Sequence, residues 1–434
     1  MRKRNSVTKN AAYIIAGKTA QALLGLAVSM ISARYLGPSG YGIISYAASV
    51  VAFAVPLMKL GYGDILVNEI VNSPDDEGEI LGTAIFFNAL SALACMVGVA
   101  AFVCVADHGE KTTLIVCVLY STNLLFQATE MIQYWYRAKL MSQYTSIVSF
   151  IAYTLVSAYR IFLLISGKSI YLFAVSNSLD YLLISAALIV LYRRLGAKKL
   201  TVSIKRGRDM FSRGKYFMLS SILVTVFVQT DRIMIKAMLG ETQLGLYSAA
   251  LTCATLTSFA FAALIDSVRP AALEKRKLSE DAFEHDMIMC YSAVIWLSLA
   301  QCVLFTAFAS PIIRLLFGDG YQGSARVLRL IVWYTAFSYI GAVRNIWILA
   351  EDKQKYLLPV NLMGAAANVV LNAVTIPLFG IMGAAFATVI TQFFTNVAVG
   401  YIIKPIRYNN ALMLKGLDPR PLTGYIKKLF MRLD

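Results

Sequence analysis

Histidine and carboxylate are scarce in this chain: among 434 residues there are two histidines and 24 aspartates and glutamates, against 40 lysines and arginines. His108 and His285 fall in connectors and form no metal constellation. The six cysteines, Cys95, Cys104, Cys117, Cys253, Cys290 and Cys302, lie inside apolar stretches without metal-like spacing, so they read as packing residues and imply no disulfide framework. A nucleotide-binding motif is also missing. Gly167-Lys168-Ser169 has the end of a phosphate loop, but the position that needs the earlier glycine is Phe162. No connector is large enough to house an active site, which argues against glycosyltransferases, ligases and polymerases; the expectation is a non-enzyme without a cofactor.

What the chain has in abundance is apolar sequence. It is 58% hydrophobic with a mean hydropathy of +0.65, more than a soluble domain of this size sustains. A helix needs about 20 apolar residues to span a bilayer. About twelve such stretches occur, near 11–33, 43–66, 82–105, 112–136, 144–166, 170–192, 216–238, 244–267, 287–310, 325–350, 357–377 and 381–403. The fold class expected is therefore all-α, a polytopic membrane protein. Transmembrane strands are excluded because the runs are too long and do not alternate with period two. Met1 to Lys9 is basic, but the run after it is too long for a signal-peptide core and reads as a retained first helix.

A net charge of +16 would point a soluble protein toward nucleic acid; here the basic residues are sorted by side of the membrane instead, so no nucleic-acid partner is expected. Threading the N-terminus inside puts Arg2, Lys3, Arg4 and Lys9 in the cytosol, together with the run from Arg193 to Lys215 and the tail residues Lys404, Arg407, Lys415, Lys427, Lys428 and Arg432. The opposite face keeps little beyond Lys111 and Lys168, so both termini are expected in the cytosol of a cell bounded by this inner, cytoplasmic membrane.

The chain is also written twice. Leu36-Gly37-Pro38-Ser39-Gly40-Tyr41-Gly42, followed by Ser45 and Ala47, returns as Leu239-Gly240-Glu241-Thr242-Gln243-Leu244-Gly245, followed by Ser248 and Ala250. Trp135, Ala138 and Tyr144 return as Trp347, Ala350 and Tyr356, and Gly167 as Gly380. Duplication of a six-span unit gives two bundles with the same orientation, related by an axis along the membrane normal, with substrate between them and alternating access as the mechanism. The expected division is a bundle over 1–195, a basic linker over 196–214, a second bundle over 215–403 and a basic tail over 404–434.

Charges inside such spans cost roughly 2.5–3.5 kcal/mol each on insertion scales, so they usually face a protein-lined or watery interior. Lys18, Arg160, Arg232 and Arg344 are the deep basic residues and the candidate ligands of an anionic substrate. Glu130 and Asp180 are the candidate coupling or gating carboxylates, Glu130 near Lys18 or Arg344 in ion pairs that break as substrate enters. Polar stripes at helical spacing add Gln127 on the fourth span, with Tyr120, Asn123, Tyr134 and Arg137, and Asn361, Asn368 and Asn372 on the eleventh. Arg34, Lys59, Arg137, Lys236 and Arg314, near helix ends, are expected to snorkel to water. The competing reading of the deep charges is that they pair with one another and hold the bundle together.

The exit of the first helix, Ala33-Arg34-Tyr35-Leu36-Gly37-Pro38-Ser39-Gly40-Tyr41-Gly42, resembles the polysaccharide transporter branch of the MOP flippase superfamily. The resemblance extends through Gln127, Glu130 and Trp135, and from Tyr321 through Trp347, Ala350, Asn368, Asn372, Pro377, Gly380, Gly383 and Ala384. It implies twelve helices in two bundles around a cationic cavity. It also implies transfer of an undecaprenyl-pyrophosphate-linked oligosaccharide, such as an O-antigen unit, to the outer leaflet, coupled to a proton or sodium gradient. The partners expected are that lipid-linked glycan, membrane lipids, and a polysaccharide polymerase with its chain-length regulator. Three alternatives stay open. A multidrug exporter of the same superfamily would favour an acidic cavity for cationic substrates, a lipid II flippase usually has fourteen spans, and a non-transporting scaffold would leave the deep charges without a purpose.

Overall fold

In the computed structural model, which describes residues 2–107 and 109–420 and only the backbone of residues 2–23, Asp64 and Ala271, helices follow one another with no strand among the described residues. His108 and the tail cations Lys427, Lys428 and Arg432 lie outside the described residues. The chain divides into two compact units, Met1–Gly245 and Leu246–Asp434. The first unit contains α1 (Arg2–Lys59), α2 (Tyr62–Asn72), α3 (Glu77–Ala106), α4 (Lys111–Ser121), α5 (Asn123–Thr129), α6 (Gln133–Ala138), α7 (Ser142–Ile165), α8 (Ile170–Arg194) and α9 (Ile204–Leu239), and α10 (Glu241–Ala254) begins in it. The second contains α11 (Ser258–Arg276), α12 (Glu280–Ala307), α13 (Ala309–Phe317), α14 (Gln322–Ile331), α15 (Trp333–Ala350), α16 (Leu357–Phe379), α17 (Ile381–Phe393), α18 (Val399–Ile402) and α19 (Arg407–Lys415).

Among the described residues nine helices are long and apolar enough to cross a membrane, or ten if the bent pair of α10 and α11 counts as one span. The chain is a multi-pass membrane protein. Two of the expected spans are fused in α1, whose two arms meet at Gly37 with φ 68° and ψ 176°. Glycine alone takes that conformation cheaply, and Pro38 then restarts the helix at a position where its missing N–H costs nothing. With α1 read as two arms and α14 and α15 as one broken span, the element order accommodates the twelve expected crossings.

The duplicated sequence is duplicated geometry. Gly240 has φ 86° and ψ 176°, matching its counterpart Gly37. After each tryptophan the helix closes in the same way: Met141 N donates to Tyr136 O at 2.7 Å and Lys353 N to Ile348 O at 2.9 Å, with Leu140 and Asp352 both left-handed at φ 57° and 52°. Gly167 and Gly380 share φ 61°. The first echo also meets itself. A Cβ on Gly42 would lie 1.9 Å from Glu241 O, and one on Gly245 would lie 1.8 Å from Pro38 O, where Pro38 and Glu241 are counterparts in the repeat. Contact of i with j′ and of i′ with j marks a local two-fold. Gly245→Val therefore forces two backbones apart, and the expected loss is at least about 1–3 kcal/mol. Fluorescence size-exclusion should show the monodisperse peak falling for this variant and holding for Gly25→Ala, whose Cβ would meet nothing within 4 Å.

Part of the expected basic linker is helix. Residues 204–214 are the opening turns of α9, which bury Gly207, Met210 and Gly214 on one face. The preceding strand of chain is strapped to the start of α3: Thr201 N donates to Gly78 O at 3.3 Å and Ser203 N to Thr83 Oγ1 at 3.0 Å. Arg206 holds Glu79 at 2.9 Å and Asp76 at 2.6 Å. At the other end of α9, Lys236 does not snorkel. It is 9% exposed, with its ammonium 3.6 Å from Asp107, 3.2 Å from Glu110 and 3.3 Å from Glu241. Three nearby carboxylates offset the desolvation that water would otherwise relieve. Arg314 behaves as expected, exposed and 2.9 Å from Asp319.

The second unit is organised on Tyr291, Trp347 and Phe283, where α11, α12 and α15 pack, with α19 set against α12. A π-turn at Phe394–Ala398 follows α17, and Gly341 of α15 lets Asn396 of that turn approach.

Candidate functional site

In the first unit, α4 to α9 bring several of the candidate residues into one polar neighbourhood within the membrane-spanning helices. Arg160 of α7 and Asp180 of α8 form an ion pair at 2.7 Å, with side chains only 13% and 7% exposed. The same guanidinium donates to Ser176 Oγ at 3.0 Å, Ser176 O at 3.3 Å and Asn177 Oδ1 at 3.2 Å, so Arg160 bonds four acceptors on α8. The sequence assigned these two residues separate tasks; the structure joins them across the α7–α8 hairpin. One oxygen of the pair, Asp180 Oδ1, is buried with no hydrogen-bond partner.

Tyr120 on α4 lies within electrostatic reach of Arg160, Asp180 and Arg232. Arg232, on α9, donates to Gln229 Oε1 at 2.6 Å, but its Nε is buried without a partner, and among the described residues no carboxylate pairs with it. Part of its hydrogen-bonding capacity is therefore unspent. Tyr153 of α7 and Tyr181 of α8, neither singled out from the sequence, lie within electrostatic reach of Asp180 and Glu130. Thr122 and Ser178 add a hydroxyl pair at 2.6 Å. Helical spacing held a signal for both tyrosines. Tyr153 stands seven residues before Arg160 on the same face of α7, and Tyr181 follows Asp180 directly.

Glu130 opens the 3-10 turn that interrupts the fourth span between α5 and α6, and it is half-buried. The cations acting on it are Lys59 and Arg137. Gln127, one turn before it, is buried and donates to Asn123 Oδ1 at 3.4 Å, while the Arg137 guanidinium lies 5.0 Å from the Tyr134 ring centroid. The expected polar face of span four is thus real, and much of its bonding is internal. Lys18 is on α1, and its side chain lies outside the described residues.

The second unit holds the remaining candidates. Arg344 is 3% exposed and donates through Nη1 to Thr395 O at 2.7 Å, a carbonyl of the π-turn; Nε has no partner. Its position ties α15 to that turn inside an apolar core that includes Tyr291 and Trp347. Asn368 and Asn372 are buried one turn apart on α16, with Asn372 Nδ2 donating to Asn368 Oδ1 at 3.1 Å, while Asn361 is half-buried.

Residues 7–274 match the family described as polysaccharide biosynthesis protein. The chain is 27% identical over 229 residues to an uncharacterized membrane protein of Methanocaldococcus jannaschii, covering 50% of this chain and 45% of that protein, so it spans less than half the length of that relative. Over 414 residues it is 21% identical to the capsular polysaccharide biosynthesis protein CapF of Staphylococcus aureus, covering 92% of this chain and 100% of CapF. A solved structure of the lipid II flippase MurJ, in an inward closed conformation, shares the fold with a TM-score of 0.73 at 14% identity, covering 95% of this chain and 92% of that one. The family match takes in well over half the chain, including the whole Arg160–Asp180–Arg232 neighbourhood, and on that basis this protein belongs to the polysaccharide biosynthesis protein family.

Proposed function

We propose that the protein is a flippase that carries an undecaprenyl-pyrophosphate-linked oligosaccharide from the cytoplasmic to the outer leaflet of the cytoplasmic membrane, with both termini in the cytosol. The observation that carries the reading is Arg232: a guanidinium on a membrane-spanning helix whose Nε is buried without an acceptor and which has no carboxylate partner among the described residues. A cation at membrane depth with one donor buried and unpartnered is expensive unless an anion visits it. A pyrophosphate suits the vacancy, because a guanidinium fork meets phosphate oxygens in a bidentate manner and the low dielectric strengthens that contact. Lys18 is proposed as a second ligand from α1. Arg160 borders the site, already bound within the first unit, whereas Arg344, 3% exposed in the core of the second unit, is proposed as a strut between α15 and the π-turn.

Alternating access follows from this assignment. The head group enters from the cytosolic leaflet, binds the cations, and leaves after the site opens to the far side, while the lipid tail stays in hydrocarbon. Asp180 and Glu130 are the proposed coupling carboxylates for a proton or sodium ion, Asp180 through the Arg160 pair that its protonation would loosen. Gln127 in the first unit, and separately Asn361, Asn368 and Asn372 in the second, are the proposed amides for sugar hydroxyls. The polymerase and chain-length regulator that receive the exported unit are the proposed partners.

The test is complementation of cells that lack their own O-unit flippase. Wild type is expected to restore surface polysaccharide. If it restores none and instead confers resistance to cationic drugs, the protein is an exporter.

A further inference from the structure

Between the second arm of α1, the middle of α3 and the far half of α9 lies a hollow of about 640 Å³. Phe53 and Ala54 line it from α1, Ala94 and Gly98 from α3, and Thr230 and Ile233 from α9. All three helices belong to candidate membrane spans, and all the lining residues belong to the first unit. Small residues at helical spacing normally draw two membrane helices into contact. Here they do not: a Cβ on Gly98 would meet no atom within 4 Å, so the space that Ala94 and Gly98 leave is kept open.

The few polar groups of the wall are turned away from the hollow. Thr230 Oγ1 donates to Val226 O at 2.6 Å, and Cys95 Sγ to Ala54 O at 3.7 Å. With the wall's hydroxyl and thiol hydrogens already committed, the hollow offers little to a sugar or a phosphate and suits hydrocarbon, and an empty apolar hollow would forfeit its dispersion contacts. One feature selects which hydrocarbon. Thr230 and Ile233 flank Arg232 in sequence, and at about 100° per residue Arg232 falls on a different face of α9 from those two, so the helix carries groove lining on one face and an anion ligand on another. That is the outline of an amphiphile with an anionic head and a long chain.

We propose that this groove holds the polyprenyl tail of the substrate while its diphosphate engages Arg232, which rests on the flippase reading above. The groove would guide the isoprenoid chain along α3 as the head group crosses.

The full-length protein in nanodiscs should be irradiated with a polyprenyl diphosphate carrying a photoreactive group in its chain, and in parallel with a phosphatidylglycerol carrying the same group in an acyl chain. The expected result is labelling of peptides covering residues 50–57 and 94–102 by the first probe. Excess unlabelled polyprenyl diphosphate should compete it, and Gly98→Phe, which puts a ring into the hollow from a position where a Cβ meets no atom within 4 Å, should reduce it at least tenfold. Flipping by Gly98→Phe in liposomes should slow by a similar factor at unchanged Arg232-dependent head-group binding. Equal labelling by the phospholipid probe, without competition, would make the groove a seat for bulk lipid and overturn the proposal. Transport by wild type with polyprenyl labelling confined to other helices would overturn the groove alone. Failure of wild type to transport any polyprenyl-linked glycan, with the groove still labelled and competed, would overturn the flippase reading and leave a polyprenyl-binding site.

Discussion

Arg160→Ala is expected to remove most of the folded protein from the membrane, and the paired change Arg160→Met with Asp180→Leu to bring much of it back. Breaking a buried ion pair by deleting one partner leaves the other charge without compensation, at about 3–5 kcal/mol, whereas replacing both with apolar residues of similar size is often neutral. The pair here meets the conditions for the large value: both side chains are mostly buried, the contact is 2.7 Å, and Arg160 supplies three further bonds to Ser176 and Asn177. The loss would come from α7 and α8 separating around an uncompensated Asp180. Whole-cell fluorescence of a tagged chain and the melting temperature in detergent measure it. Normal level and stability for Arg160→Ala would mean that the pair contributes nothing to folding. The double variant then separates architecture from transport: restored folding without export would give the pair a part in coupling, and restored export would make it a strut.

The helices, the repeat and the family were legible because each is written locally. Hydropathy over twenty residues shows a span, and Leu-Gly-x-x-x-x-Gly twice over shows a duplication. What was illegible depends on partners far apart in sequence. Arg160 and Asp180 each appeared as a lone deep charge, since their pairing requires the α7–α8 hairpin to bring residues twenty apart to one level. Lys236 looked like a snorkelling lysine because Asp107 and Glu110 approach it from a different connector. The start of α9 read as linker because its lysines and arginines suppress hydropathy, although Gly207, Met210 and Gly214 recur at helical spacing and are buried. The reciprocal fit of Gly42 and Gly245 could be seen as repetition but not as contact. Nor does any residue pattern announce the hollow beside Gly98, because the same small residues more often mean close packing.

Arg232 should behave oppositely to Arg160, although the sequence gives the two the same standing. Arg232→Ala is expected to abolish most export while the amount of inserted protein stays at the wild-type level. Removing Arg232 leaves no carboxylate stranded among the described residues; it gives up one bond to Gln229 on its own helix and relieves the cost of a buried Nε without an acceptor. The folded state therefore loses little or gains. Substrate binding loses a charge-assisted contact worth about 1.5–3 kcal/mol, which is roughly 10- to 150-fold in head-group affinity. Arg232→Lys keeps the charge but not the fork, and should retain an intermediate rate, because a compact ammonium cannot reproduce two parallel bonds to phosphate oxygens. The measurement is surface polysaccharide per unit of inserted flippase, read beside diphosphate binding to the purified protein. Wild-type export by Arg232→Ala would remove this residue from the head-group site. Lost export with unchanged diphosphate affinity would move its contribution from binding to the conformational step, where the electrostatic coupling of Arg232 to Tyr120 is the next place to look.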